Sequence, residues 1–143
     1  MNARSEDNDN TPLMAAAAGN PNPAVIEALI TAGADISRRN SFGETPLMHA
    51  AAYNLNQKAI KAVITALVDA GDDVNAKDNN GKTPLFWAAS SANLEAVVTL
   101  LDLGADANER NTFGEKALEA AEIKKEFKGT DAIKKLREAS KIQ

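Results

Sequence analysis

No cysteine occurs anywhere in this chain of 143 residues, which excludes disulfides, thiolate nucleophiles and cysteine-bound metals. Histidine occurs once, at His49, and aromatic residues amount to only 4%. A lone histidine has no partner two, three or four residues away to form a metal site, and no nucleophile or orienting acid at a spacing that suggests catalysis. No apolar run approaches the roughly 18 residues that a membrane span needs. The opening residues 1–10 lack the apolar stretch of a secretory leader, so the expected compartment is the cytoplasm. A matured exported form restarted with methionine would read the same way. The basic stripe of a nucleic-acid surface is also missing, since the net charge is −4.

What the chain does have is alanine and leucine, which carry most of a 44% hydrophobic content suited to helices packed at short range. It also has an internal repeat. Thr-Pro-Leu begins at residues 11, 45 and 83, intervals of 34 and 38, and a degraded copy, Lys116-Ala117-Leu118, follows 33 residues after the third. Such a period is the mark of stacked repeat architectures, in which each unit buries its apolar face only against its neighbours.

The unit from Gly81 to Gly104 is the clearest. Thr83 suits a helix N-cap and Pro84 the first helical position, where a missing N–H costs nothing. Leu85, Ala88 and Ala89 share one helical face, and the two alanines permit close backbone approach. A break near residues 90–93 precedes a second stripe, Val97, Leu100 and Leu101, which Gly104 ends because a left-handed residue is cheapest as glycine. A polar connector follows, and the interval from helix-ending glycine to the next repeat start is 12 residues in all three cases. Constant connectors between variable helix pairs predict that the connectors stack in register along one edge.

With Thr-Pro-Leu-x-x-Ala-Ala, an apolar second helix, Gly-Ala-Asp-x-Asn and a closing Asp/Asn-x-x-Gly, the chain resembles the ankyrin-repeat family. The resemblance implies an all-α solenoid of helix–turn–helix units joined by β-turn fingers, with repeats at about 11–40, 41–78, 79–111 and 112–143. Residues 1–10 are expected to be a flexible N-terminal segment and 11–143 one domain. It also implies a concave groove of fingers and first helices that binds a protein, and no enzymatic activity. The family's histidine after Thr-Pro-Leu is replaced by Met14, Met48 and Phe86, which predicts apolar packing there. The second repeat carries five extra residues around 53–61, placed at the helix–helix turn and the adjacent helix ends. Gly71-Asp72 breaks the Gly-Ala pattern. In the fourth unit Glu122 and Arg137 replace apolar residues, as an uncovered last face requires.

On that frame the candidate protein-binding residues are Ser41, Phe42, Glu44, His49, Tyr53, Asn79, Asn80, Lys82, Trp87, Ser91, Thr112, Phe113 and Glu115, with Ala52 and Ser90 beside them. Trp87 reads either as core between first helices or as an indole left partly open to a partner, and such residues are frequent interface hot spots. Phe42 and Phe113 precede the finger glycines and read either as turn packing or as apolar finger tips. Asp35, Asp73 and Asp106 recur one repeat apart, which suits local turn bonding better than calcium. From residue 122 on, seven cations face four carboxylates, a net +3 that leaves −7 for the rest. That pattern fits a solvated capping helix, with an acidic-partner site as the other reading.

The sequence therefore predicts a non-enzymatic, monomeric protein-interaction module with no cofactor, no metal, no nucleic acid and no membrane partner. The alternative is an inhibitor or immunity-type protein that blocks an enzyme's active site with residues 53–56.

Overall fold

The computed structural model describes residues 9–20 and 22–141, so the expected flexible segment 1–10 lies outside it except for residues 9 and 10. Eight α-helices occur among the described residues: α1 Pro12–Gly19, α2 Pro23–Thr31, α3 Pro46–Tyr53, α4 Ile60–Asp69, α5 Pro84–Ser90, α6 Leu94–Asp102, α7 Ala117–Glu122 and α8 Asp131–Lys141. They pair as α1/α2, α3/α4, α5/α6 and α7/α8. The odd helices stack on one another as an inner layer and the even helices as an outer one. No strand is present among the described residues.

The start of each inner helix follows from local chemistry. The hydroxyls of Thr11, Thr45 and Thr83 accept from the backbone N–H of Met14, Met48 and Phe86 at 3.2, 3.3 and 3.2 Å. Each is followed by proline at the first helical position. Lys116 cannot cap in that way. There Glu119 Oε1 reaches back to the Lys116 N–H at 3.5 Å, and α7 runs for only 6 residues. Gly33, Gly71 and Gly104 follow the outer helices with φ of +100°, +108° and +95°, as a left-handed helix stop requires.

The seam is built from leucine and alanine. Leu13, Leu47 and Leu85 are buried together with Ala17, Ala50, Ala51, Ala88 and Ala89, and from the outer layer Ile26, Ile64, Leu67, Val97 and Leu100 close on them. Met14, Met48 and Phe86 are buried too, as apolar residues at the family's histidine position, but Met14 does not only pack: its Sδ accepts from the Thr11 N–H at 3.5 Å and closes a capping box. A second device crosses the units. Asn54 Nδ2 donates to the carbonyls of Ala17 and Asn20 in the unit before, at 3.0 and 3.1 Å. Asn93 Nδ2 donates to the carbonyls of Ala51 and Asn54, at 3.1 and 2.9 Å. These asparagines satisfy the carbonyls that the inner helices leave open at their C-terminal ends.

The extra residues of the second repeat lie mainly in the turn 54–59, while α3 keeps the same 8 residues as α1 and α4 has 10 against 9 for α2 and α6. The enlarged turn is fastened. Gln57 donates to Asn93 Oδ1 at 2.8 Å and accepts from the Glu95 N–H at 3.0 Å, capping α6 of the following unit. The last unit closes with α8, which buries Ala132, Ile133, Leu136 and Ser140 and turns Arg137 to solvent, as expected of a terminal face.

Candidate protein-binding groove

Each finger is organised by one side chain at its base. Asn40 Oδ1 accepts from the N–H groups of Phe42 and Glu44 at 3.0 and 2.9 Å. Asp78 Oδ1 does the same for Asn80 and Lys82 at 2.8 and 3.0 Å, and Asn111 Oδ1 for Phe113 and Glu115 at 2.9 and 3.0 Å. A short side chain that bonds its own backbone fixes the turn without help from elsewhere. Gly43, Gly81 and Gly114 complete the fingers at φ near +75°. Gly43 is doubly constrained, because a Cβ there would run into the Asn79 side chain and backbone of the next finger.

The fingers stack as the constant connectors predicted. The Asn79 N–H donates to the Phe42 carbonyl at 3.0 Å, and the Thr112 N–H to the Asn80 carbonyl at 2.9 Å, in the same register. Arg39 spans two units, donating to the carbonyls of Gly43 and Lys77 at 2.8 and 2.7 Å. Asp35, Asp73 and Asp106 accept from the N–H groups of Ser37, Asn75 and Asn108, which confirms their role as turn formers. The Ser37 hydroxyl also holds the Asp35 carboxyl below its ordinary range.

Along the inner helices a row of rings faces the fingers. His49 and Tyr53 centroids lie 5.4 Å apart, and Tyr53 and Trp87 6.4 Å, both tilted. Trp87 Nε1 donates to Asp78 Oδ2 at 3.1 Å, and the Lys82 ammonium lies 4.8 Å from the Trp87 ring centroid. Trp87 is therefore half-buried, held at its edge and covered by a cation on its face, which departs from a core residue and agrees with an indole left partly open. His49 Nε2 donates to Glu44 Oε1 at 3.1 Å, since the two hydrogens of the Asn40 amide go to Glu44 and to Asn10. The bond from His49 is the leading cause that holds the Glu44 carboxyl below its usual range. Burial pushes the Tyr53 hydroxyl up, and the Glu44 charge adds to it.

Of the residues singled out from sequence, Ser41, Phe42, Tyr53, Asn79, Asn80, Thr112, Phe113 and Glu115 are exposed, and Lys82, Trp87, Ser90 and Ser91 are half-buried. Phe42 keeps 53% of its surface and Phe113 77%, so both are apolar finger tips rather than packed turn residues. Glu44 and His49 lie in the same row but are buried, so they brace the second finger rather than offer surface, and Ala52 is buried as well. Leu55, in the loop 53–56 singled out from sequence, is exposed at 57%. Two features escaped the sequence: Ile123 is exposed at 80%, and Asp72 is a buried carboxylate whose Oδ2 accepts from the Leu47 N–H at 2.9 Å at the start of α3. Burial lifts the Asp72 pKa to about 7. The broken Gly-Ala pattern at Gly71-Asp72 marked the place but not the consequence.

Among the described residues no three His, Asp or Glu side chains converge to hold a metal ion, and no helix is long and apolar enough to cross a membrane. The stacked helix pairs, in-register fingers and ringed inner layer define a helical repeat solenoid. A family model for ankyrin repeats (3 copies) matches residues 13–111, and the chain belongs to the ankyrin-repeat family. The fourth unit lies beyond that match. A comparison with curated proteins finds no match.

Proposed function

We propose that this chain binds a protein partner through the concave side, with Phe42, Tyr53, Trp87 and Phe113 as anchors and Ser41, Asn79, Asn80, Lys82, Ser91, Thr112 and Glu115 setting specificity. Ankyrin repeats are generally protein–protein interaction modules and typically not enzymes. The observation that carries the finer reading is the exposure of Phe42 and Phe113 on fingers otherwise made of Ser, Thr and Asn. Large apolar side chains on a rigid, polar-rimmed surface are the anatomy of an interface. Fingers tied to one another by backbone bonds favour docking without large rearrangement.

The test is affinity capture with wild type and with Phe42→Ala/Tyr53→Ala/Phe113→Ala, followed by titration of the purified partner. The expected outcome is a loss of at least about tenfold in the triple variant, whose helical circular dichroism is unchanged. Equal binding by both forms ends the groove reading. The inhibitor reading is favoured by one detail, the adjacent exposure of Tyr53 and Leu55. Asn54 between them is buried in the ladder, so only Tyr53, Leu55 and Asn56 could enter a cleft. A partner that is an enzyme, inactivated by wild type but not by Tyr53→Ala/Leu55→Ala, would establish it.

A further inference from the structure

Among the described residues the largest exposed fraction of any big apolar side chain is that of Ile123, in a unit whose outer face should be polar if it served only to end the stack. Ile123 stands seven residues past Lys116, in register with Ala52 and Ser90 seven past their threonines. Lys124 is in register with Tyr53 and Ser91. The two residues therefore continue the row of inner-helix ends along the groove. Beneath them is a cleft of about 240 Å³ between the end of α7, a short 3-10 turn at Lys125–Phe127 and α8. Its floor includes the buried Phe127 and Ile133, and its rim carries Lys124, Lys125, Lys128 and Arg137.

Arg38, Lys77, Arg110, Lys135 and Lys141 each sit beside a carboxylate. On this rim Arg137 meets Glu122 at 3.8 Å, while Lys124, Lys125 and Lys128 have no ion-pair partner among the described residues, as is also true of Lys58, Lys61 and Lys134. We propose that this end of the groove recognises an acidic segment of a partner protein that bears one aliphatic side chain, seated against Ile123 over the cleft. The proposal rests on the groove reading, whose fourth position it supplies. Charge complementarity selects an acidic segment, and the isoleucine at the centre of the rim selects against a bare polyanion, which has nothing to place there. Exposed lysines act together and through solvent, so binding is salt-sensitive.

The test uses the full chain and a fluorescein-labelled peptide of one leucine flanked on each side by glutamates, followed by fluorescence anisotropy. A second peptide carries serine in place of leucine, and a uridine oligonucleotide of equal charge is the third probe. The leucine peptide is expected to bind about fivefold tighter than the serine peptide, a preference lost in Ile123→Ser. Lys124→Ala/Lys125→Ala/Lys128→Ala is expected to weaken binding about tenfold and to flatten its salt dependence. Absence of saturable binding, equal affinity for the two peptides, retention of the preference in Ile123→Ser, or tighter binding of the oligonucleotide would each overturn the proposal. Lys58→Ala/Lys61→Ala, which removes exposed cations at the outer layer, is expected to titrate the peptide as wild type does. Failure of the broader groove reading would appear in the capture experiment, and failure of this proposal in the peptide titration.

Discussion

The second and third repeats share one finger geometry and fill it with different chemistry. In the second, a neutral base residue, Asn40, is followed by Glu44, and the carboxylate is satisfied by His49 from the inner helix. In the third, the base residue is itself the carboxylate, Asp78, the following residue is Lys82, and the inner helix answers with the Trp87 indole. The helix position four past the cap thus supplies an N–H to an acid in both repeats. Only the location of the acid has changed. A further difference lies behind the helix, where Asp72 stands in the second repeat and Ala105 in the third. The second repeat therefore carries two buried carboxylates of opposite behaviour, Glu44 drawn down by its histidine bond and Asp72 driven up by burial. The comparison teaches that the finger needs an acceptor at its base, and that in these two repeats an N–H four past the cap meets the acid, whereas Ala120 holds that place in the fourth. Charge is free to vary around them.

The harshest way to break that equivalence is Asp78→Ala. It removes the acceptor for two finger N–H groups and orphans the Trp87 indole N–H in a largely buried place. A loss of about 2–4 kcal/mol in urea unfolding is expected. Asp78→Asn keeps the two backbone bonds, as Asn40 does in the second repeat, and loses only the indole partner. Its expected cost is about 1 kcal/mol, together with a red shift of tryptophan fluorescence. Equal losses for the two variants would mean that the charge, not the acceptor, holds the finger.

Next in size is Asp72→Asn. The folded chain binds this proton more tightly than the unfolded chain does, since the pKa is about 7 against 3.8. The contribution to stability is therefore fully present below about pH 4 and is lost as pH rises through 7. Asparagine keeps an acceptor for the Leu47 N–H without the buried charge. The variant is expected to exceed wild type by about 2 kcal/mol at pH 8, and the gap should shrink as the pH is lowered toward 5. A gap that is constant with pH would show that burial does not bias the group.

Glu44→Gln tests the opposite sign. The folded pKa lies below the ordinary value, so the stabilisation is present above about pH 4.5 and is lost as pH falls through the folded value. Discounted for solvent screening, the expected loss is about 0.5–1 kcal/mol at pH 7 and none in acid, read from the pH dependence of the urea midpoint.

The fold was legible because its determinants are local. Threonine caps, prolines at the first helical position, helix-ending glycines and apolar spacing each act within a few residues, and their recurrence supplied the stacking. The finger stack was legible for the same reason, through the constant connector. The site was legible in position but not in exposure. Glu44 and His49 occupy contact positions by register, yet they find each other across five residues and are buried, and no spacing announces that. The asparagine ladder and the Gln57 clasp join residues 34 to 42 positions apart, so only three-dimensional packing could disclose them. Ile123 was hidden differently. The polar residues Glu122 and Arg137 mark its unit as a cap, and nothing in the spacing shows that the isoleucine next to Glu122 stays exposed.

The finest probe of the two repeats is Lys82. Its ammonium lies over the Trp87 face, and it also adds a small pull on Glu44 from the neighbouring finger. Like Tyr53, whose ring meets both His49 and Trp87, it touches the chemistry of both. An exposed cation–π contact contributes about 0.5 kcal/mol, so Lys82→Ala should lower stability by little more than that. The informative readouts are spectral. Uncovering the indole face should make Trp87 fluorescence more accessible to a neutral quencher such as acrylamide, while the Nε1 bond to Asp78 keeps the ring in place. Quenching equal to wild type would mean that the lysine does not cover the ring in solution. In that case the exposed face of Trp87 would be available to a partner without displacement of a cation, and Lys82 would act on the groove only through its charge.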